Sequence, residues 1–110
     1  MSFMNLVNYI NAHYSESISM DKIESIAHYS RSHTYKLFMR YLGCSPKEYV
    51  DSLRLRKGCE LLIETELSAK EIGEQVGYKS YVGFIKAFKK KYSVSPIEYR
   101  TNANAQKEKD

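Results

Sequence analysis

The lysines and arginines of this 110-residue chain are distributed in a way that suits contact with a polyanion. Residues 31–57 hold Arg31, Lys36, Arg40, Lys47, Arg54, Arg56 and Lys57 against Glu48 and Asp51, a balance of +5. Residues 79–100 hold Lys79, Lys86, Lys89, Lys90, Lys91 and Arg100 against Glu98, again +5. The preceding segments are acidic, −2 over residues 1–30 and −4 over residues 58–78, and the net charge is only +4. An evenly solvated surface would not sort its charges this way, whereas a polyanion with two contact points favours it. The other reactive side chains offer less. His13, His28 and His33 have no metal-ligand spacing, and Cys44 and Cys59 match no paired framework. Both cysteines fall in apolar stretches, as free thiols in a reducing cytosol would. No acid–base pair, nucleophile–base set or metal cluster stands at a sensible spacing, so no enzyme, metal site or cofactor is expected.

The elements that must carry these charges come from a repeat. Ser45-Pro46-Lys47-Glu48-Tyr49 returns 50 residues later as Ser95-Pro96-Ile97-Glu98-Tyr99, and these are the only two prolines. Phe38 matches Phe88 at that spacing, while Ser19, Ile23 and Tyr29 match Ser68, Ile72 and Tyr78 at 49, so one extra residue enters the second copy between Tyr78 and Phe88. One unit has been built twice. Apolar spacing is helical nearly throughout. Leu6, Val7, Ile10 and Tyr14 predict a helix over 3–14, and Ser19 caps one carrying Met20, Ile23, Ile26 and Ala27 inward. Ser30 caps a helix with Thr34, Leu37, Phe38 and Tyr41 on one face, which Gly43 ends. Pro46 opens a long helix to about Ile63, roughly 27 Å at 1.5 Å per residue. Its apolar stripe changes sides, from Tyr49, Val50 and Leu53 to Leu55, Cys59 and Leu62, which suits contact with two cores. Ser68 with Glu71 forms a capping box ahead of Ala69, Ile72 and Val76, and Ser80 caps a helix burying Phe84, Ala87 and Phe88. A short helix from Pro96 through Tyr99 closes the fold.

The expected architecture is all-α, about seven helices in two lobes. The divisions are a first lobe at 1–45, a linker helix at 46–63, a second lobe at 64–100 and a disordered polar tail at 101–110. Each lobe is a short helix, a tight turn and a second helix flanked by basic residues. That is the helix-turn-helix arrangement, in which the second helix enters the DNA major groove and the first braces it.

The second half carries Ile72-Gly73-Glu74-Gln75-Val76-Gly77-Tyr78, then Phe84, Phe88-Lys89, and Val94-Ser95-Pro96-Ile97-Glu98-Tyr99-Arg100. The first contributes Leu37-Phe38, Gly43, Tyr49 and Leu53-Arg54-Leu55. Over residues 3–100 the chain resembles the AraC/XylS family of bacterial transcription regulators. The resemblance implies seven helices, two helix-turn-helix lobes, and both second helices docking in successive major-groove segments. It implies that Arg31, Ser32, Tyr35, Lys36 and Arg40 face DNA from the first recognition helix, and Tyr81, Val82, Ile85, Lys86 and Lys89 from the second. These positions lie opposite the inward faces, as groove contact requires. Val82 and Ile85 suit thymine methyl groups, or are scattered surface hydrophobes. The family's usual alanine on the brace helix is Glu24 in the first lobe and Gly73 in the second, its usual first-turn glycine is His28, and a typical leucine is Thr34. The first lobe is therefore expected to be the less standard one.

The function expected is a sequence-specific, double-stranded DNA-binding transcription regulator, in most of the family an activator, with RNA polymerase as a further partner. The alternative is a protein-interaction adaptor using exposed Tyr81, Val82 and Ile85, against which the matched basic segments speak. The N-terminus lacks the basic start and apolar run of a signal peptide, and no stretch could span a membrane, so a cytoplasmic protein is expected. Most of the family carry a further domain ahead of this part. The sequence is compatible with a stand-alone regulator, a monomer included, and with the C-terminal domain of a longer one.

Overall fold

Serine hydroxyls start every helix of this fold. A computed structural model describes the backbone of residues 2–109, with side chains as far as Lys107. Among the described residues the regular elements are seven α-helices: α1 (Phe3–His13), α2 (Met20–Ala27), α3 (Arg31–Leu42), α4 (Pro46–Glu64), α5 (Ala69–Gln75), α6 (Tyr81–Tyr92) and α7 (Pro96–Lys109). Ser2, Ser19, Ser30, Ser68 and Ser80 hold extended backbone, and each hydroxyl accepts from the N–H three residues on. Each thereby satisfies a donor that the helix start would otherwise orphan. Ser45 and Ser95 do the same ahead of the two prolines, while Glu48 and Glu98 accept from the serine N–H groups at 3.1 and 3.3 Å. Both repeated motifs are thus complete capping boxes, with proline at the position whose missing N–H costs nothing. Hydrogen bonds from the serine side chains and then their backbones hold the Glu48 and Glu98 carboxyls below the usual range.

The chain divides into two compact units, Met1–Leu53 and Arg54–Asp110. The boundary falls inside α4, whose residues up to Leu53 belong to the first unit and whose residues from Arg54 belong to the second.

In the first unit Leu6 and Ile10 of α1, Ile23 and Ala27 of α2, Phe38 of α3, and Val50 and Leu53 of α4 form one core. Met20 and Ile26, expected inward, are half-buried. The Phe3 and Tyr49 rings meet Phe38 edge-on at 5.2 and 5.8 Å, and the Tyr49 hydroxyl donates to Asn11 Oδ1 at 2.6 Å. Thr34 is fully buried, yet its hydroxyl donates to the Ser30 carbonyl at 2.9 Å, so the polar group is satisfied. Tyr41 departs from expectation: it shares the periodic face of Phe38 but is 60% exposed. It lies one turn beyond the core, where Phe3, the first residue of α1, is its ring neighbour at 5.6 Å. His28 ends α2 in the left-handed conformation at φ 60°, a role that Gly43 fills for α3 at φ 70°.

In the second unit Leu55, Cys59 and Leu62 of α4, Ala69, Ile72 and Val76, and Phe84 and Phe88 of α6 are buried. Phe84 sits against two glycines. A Cβ on Gly58 would lie 3.3 Å from Phe84 Cε1, and one on Gly73 would lie 3.0 Å from Cδ2 and 3.1 Å from both Cβ and Cγ. Gly58, costly in mid-helix, therefore makes room for this ring. The first unit has Glu24 and Thr34 at the positions of Gly73 and Phe84, a long and a small side chain where the second unit has the sizes reversed. Burial first, then hydrogen bonds with the buried Cys59 thiol, push the Tyr92 and Tyr99 phenols upward. Arg100 donates from Nε to the Leu62 carbonyl at 2.9 Å and from Nη2 to those of Thr65 and Leu67 at 3.2 and 2.6 Å, satisfying acceptors at the end of α4 and in the segment that follows it.

The tail expected to be disordered from Thr101 is helical to Lys109, with Asp110 outside the described residues. Its lack of an apolar stripe hid it. Helix propagation from a capped start is easier than nucleation, and Ala103, Ala105, Gln106 and Lys107 are good helix formers. Thr101 donates to the Ile97 carbonyl at 3.0 Å, and Lys107 Nζ reaches that of Ile63 at 3.5 Å.

Candidate nucleic-acid interface

The inward anchors of α3 and α6 determine which residues each helix exposes. In α3, Thr34 and Phe38 are buried, and Ser32, Tyr35, Lys36 and Arg40 are exposed. In α6, Phe84 and Phe88 are buried, Tyr81, Val82, Lys86 and Lys89 are exposed, and Ile85 is half-buried. Each set of predicted residues is therefore brought together outside its own core. Lys36 and Lys86 occupy matching positions, and among the described residues neither takes part in an ion pair.

Arg31 is exposed as well, but it is bound to the brace helix. Its Nη2 donates to Asp21 Oδ1 at 2.6 Å and its Nε to Glu24 Oε1 at 3.3 Å. The two acids lie three residues apart on α2, so they are neighbours on one face and hold the start of α3. With 59% of the Arg31 side chain exposed, the pairs serve geometry more than stability. Lys70 and Gly73 stand in the second unit where Asp21 and Glu24 stand in the first, so nothing equivalent holds Tyr81. The Glu24 that departs from the family's alanine is thus half of this clamp.

The remaining charges sort themselves further. The Arg40 guanidinium lies 5.4 Å from the Tyr41 ring centroid and Lys91 Nζ 5.9 Å from that of Tyr92. His33 is exposed, with its ring edge-on to Tyr29 at 5.0 Å. Arg100 counts in the basic balance of its segment but is committed to three carbonyls, a role that no spacing announces. Met39, 42% exposed at the position of Lys89, was also missed, because a methionine on a basic helix carries no charge signal. The capping serines Ser45 and Ser95 have their own N–H groups occupied by Glu48 and Glu98, so those groups are not open phosphate sites. Among the described residues no cluster of three His, Cys, Asp or Glu could hold a metal ion, and no helix is long and apolar enough to cross a membrane.

A short brace helix followed by an exposed basic second helix, built once in each unit, defines a tandem helix-turn-helix protein. Known proteins agree. A family profile described as "Helix-turn-helix domain" matches residues 24–102. The lactose operon transcription activator of Staphylococcus xylosus is 42% identical over 94 residues, covering 86% of this chain and 34% of that protein. The xylose operon regulatory protein of Escherichia coli is 35% identical over 94 residues, 86% of this chain and 24% of that protein. Among solved structures, the C-terminal domain of AraT, a response regulator from Geobacillus stearothermophilus, superposes with a TM-score of 0.86 at 32% identity, covering 90% of this chain and 83% of that one. The DNA-binding domain of AdpA, solved in complex with a target DNA, shares the fold at a TM-score of 0.91 and 21% identity over 97% of this chain and 96% of its own. This chain belongs to the AraC/XylS family of helix-turn-helix transcription regulators. It spans about a third of the lactose operon activator's length and a quarter of the xylose operon regulator's.

Proposed function

We propose that this chain is a sequence-specific, double-stranded DNA-binding transcription regulator. In this reading α3 and α6 are its recognition helices, each entering one of two adjacent major-groove segments. The observation that carries it is the exposed face repeated on both second helices, with Lys36 and Lys86 at one matching position. Ser32, Tyr35, Lys36 and Arg40 would face the groove from α3, with Arg31 at its edge held by Asp21 and Glu24. Tyr81, Val82, Ile85, Lys86 and Lys89 would do so from α6. Lysine and arginine at such positions donate to guanine O6 and N7 or to phosphate. The function is binding alone, with no chemical step, on chromosomal DNA in the cytoplasm. The lactose operon relative is named as an activator, and activation with RNA polymerase as a partner is proposed here on that likeness. Two DNA-reading lobes, 1–45 and 64–100, with the 46–63 helix common to both, are the working units of this proposal.

The test is binding to genomic fragments across a salt series. If about six phosphates are neutralised, log affinity falls against log salt with a slope of about −5. Lys36→Ala and Lys86→Ala each weaken binding while helical circular dichroism is unchanged. Affinity indifferent to salt would refute DNA binding, and two lysine variants with parental affinity would refute the assignment of the faces.

A further inference from the structure

The two recognition faces differ in what they can exchange with a base edge. In α3 the exposed first turns hold Ser32 and Tyr35, both able to hydrogen-bond. In α6 the corresponding positions are Val82 and Ile85, which can neither donate nor accept. Val82 is 60% exposed, and Ile85, three residues on, is its neighbour on the helix surface, half-buried. Tyr81, 44% exposed, borders the pair on one side and Lys86 on the other. Helix propensity does not select this pair, because β-branched residues are weaker helix formers than alanine or lysine. The core does not account for Val82 either, since Phe84 and Phe88 fill it from the opposite side of α6.

Residues near the N-terminus of a recognition helix are the ones that reach base edges. In the major groove the apolar feature of a base edge is the thymine C5-methyl group. We infer that α6 reads thymine methyls through Val82 and Ile85, so that the second unit selects its DNA segment by apolar contact while the first selects by hydrogen bonds. The inference rests on the DNA-binding reading above and assigns Val82 and Ile85 as specificity-determining residues. Lys86 supplies attraction beside them.

The experiment first selects bound sequences from a random duplex library with the full chain, then replaces thymine by deoxyuridine one position at a time. That change deletes a methyl group and leaves every hydrogen-bonding atom in place. One or two positions should each lose about fourfold in affinity, the worth of one buried carbon group. Val82→Ser or Ile85→Ser, with circular dichroism confirming the fold, should abolish the loss at those positions, whereas Lys86→Ala should weaken thymine and uracil duplexes equally. A selected site that tolerates deoxyuridine throughout, or a discrimination that persists in both serine variants, overturns the inference and leaves the DNA-binding reading standing. Selection that enriches no sequence overturns that reading and this inference with it.

Discussion

Replacing Gly73 by alanine should destabilise this protein, although alanine is the usual family residue there and a better helix former. In an open helix the change would gain up to about 1 kcal/mol. Here the added Cβ would lie 3.0 Å from Phe84 Cδ2 and 3.1 Å from Phe84 Cβ and Cγ. Phe84 is fully buried, faces Gly58 on another side, and has the Tyr78 and Phe88 rings at 5.4 and 5.8 Å. Its Cβ is fixed to the α6 backbone, so a change of rotamer cannot relieve that contact. Overpacking a filled core costs about 1–3 kcal/mol, which outweighs the propensity gain and leaves a net loss of about 1 kcal/mol. For a domain of this size that lowers Tm by about 4–8 °C. Thermal unfolding followed by circular dichroism measures it, and Gly73→Ala/Phe84→Leu completes a double-mutant cycle. The double variant should be more stable than the sum of its singles, because leucine has no ring edge fixed at the 3.0 Å contact and can turn its methyl groups away, leaving the Cβ and Cγ contacts in place. A Gly73→Ala protein as stable as the parent, or additive substitutions, would refute the claim that glycine here answers to Phe84.

His28→Gly relieves a left-handed backbone at φ 60° and should stabilise by about 1 kcal/mol, seen as a raised urea midpoint with an unchanged m-value. Arg100→Met strips charged donors from three carbonyls and should cost about 2–3 kcal/mol in the same measurement, with Arg100→Lys restoring only part. The Glu48 and Glu98 carboxyls are held below their ordinary 4.5, so their contribution is present above that value and is lost as pH falls through the depressed folded values. Stability should therefore decline in acid, and Glu48→Gln with Glu98→Gln should flatten that decline.

The helices were readable because their starts are marked in the chain itself. Serine three residues before a donor, and proline after serine, are local signals that need no knowledge of tertiary contacts. The α4 stripe was readable for the same reason, with Val50 and Leu53 entering one core and Leu55, Cys59 and Leu62 the other. What stayed hidden depends on partners distant in sequence. Tyr41 has the right phase for burial but lies beyond the core. Arg100 is indistinguishable by composition from a surface cation until the Leu62, Thr65 and Leu67 carbonyls are brought to it. The exposed faces of α3 and α6 were legible as faces, since burial of Thr34, Phe38, Phe84 and Phe88 fixes their opposites. The Arg31 clamp was not, although Asp21 and Glu24 at a spacing of three carried a faint signal of it.

The Cys59, Tyr92 and Tyr99 cluster gives the second unit an optical handle. The chain has ten tyrosines and no tryptophan, so its near-ultraviolet absorbance is dominated by phenol and phenolate. Burial holds the Tyr92 and Tyr99 phenols above their ordinary 10.0. Their contribution to stability is present below that value and lost as alkali carries the pH through the raised folded values. Phenolate formation at these two rings is thus coupled to opening of the α6 and α7 packing. An alkaline spectrophotometric titration of the unlabelled protein, without DNA, should show these two phenols ionising after the exposed tyrosines.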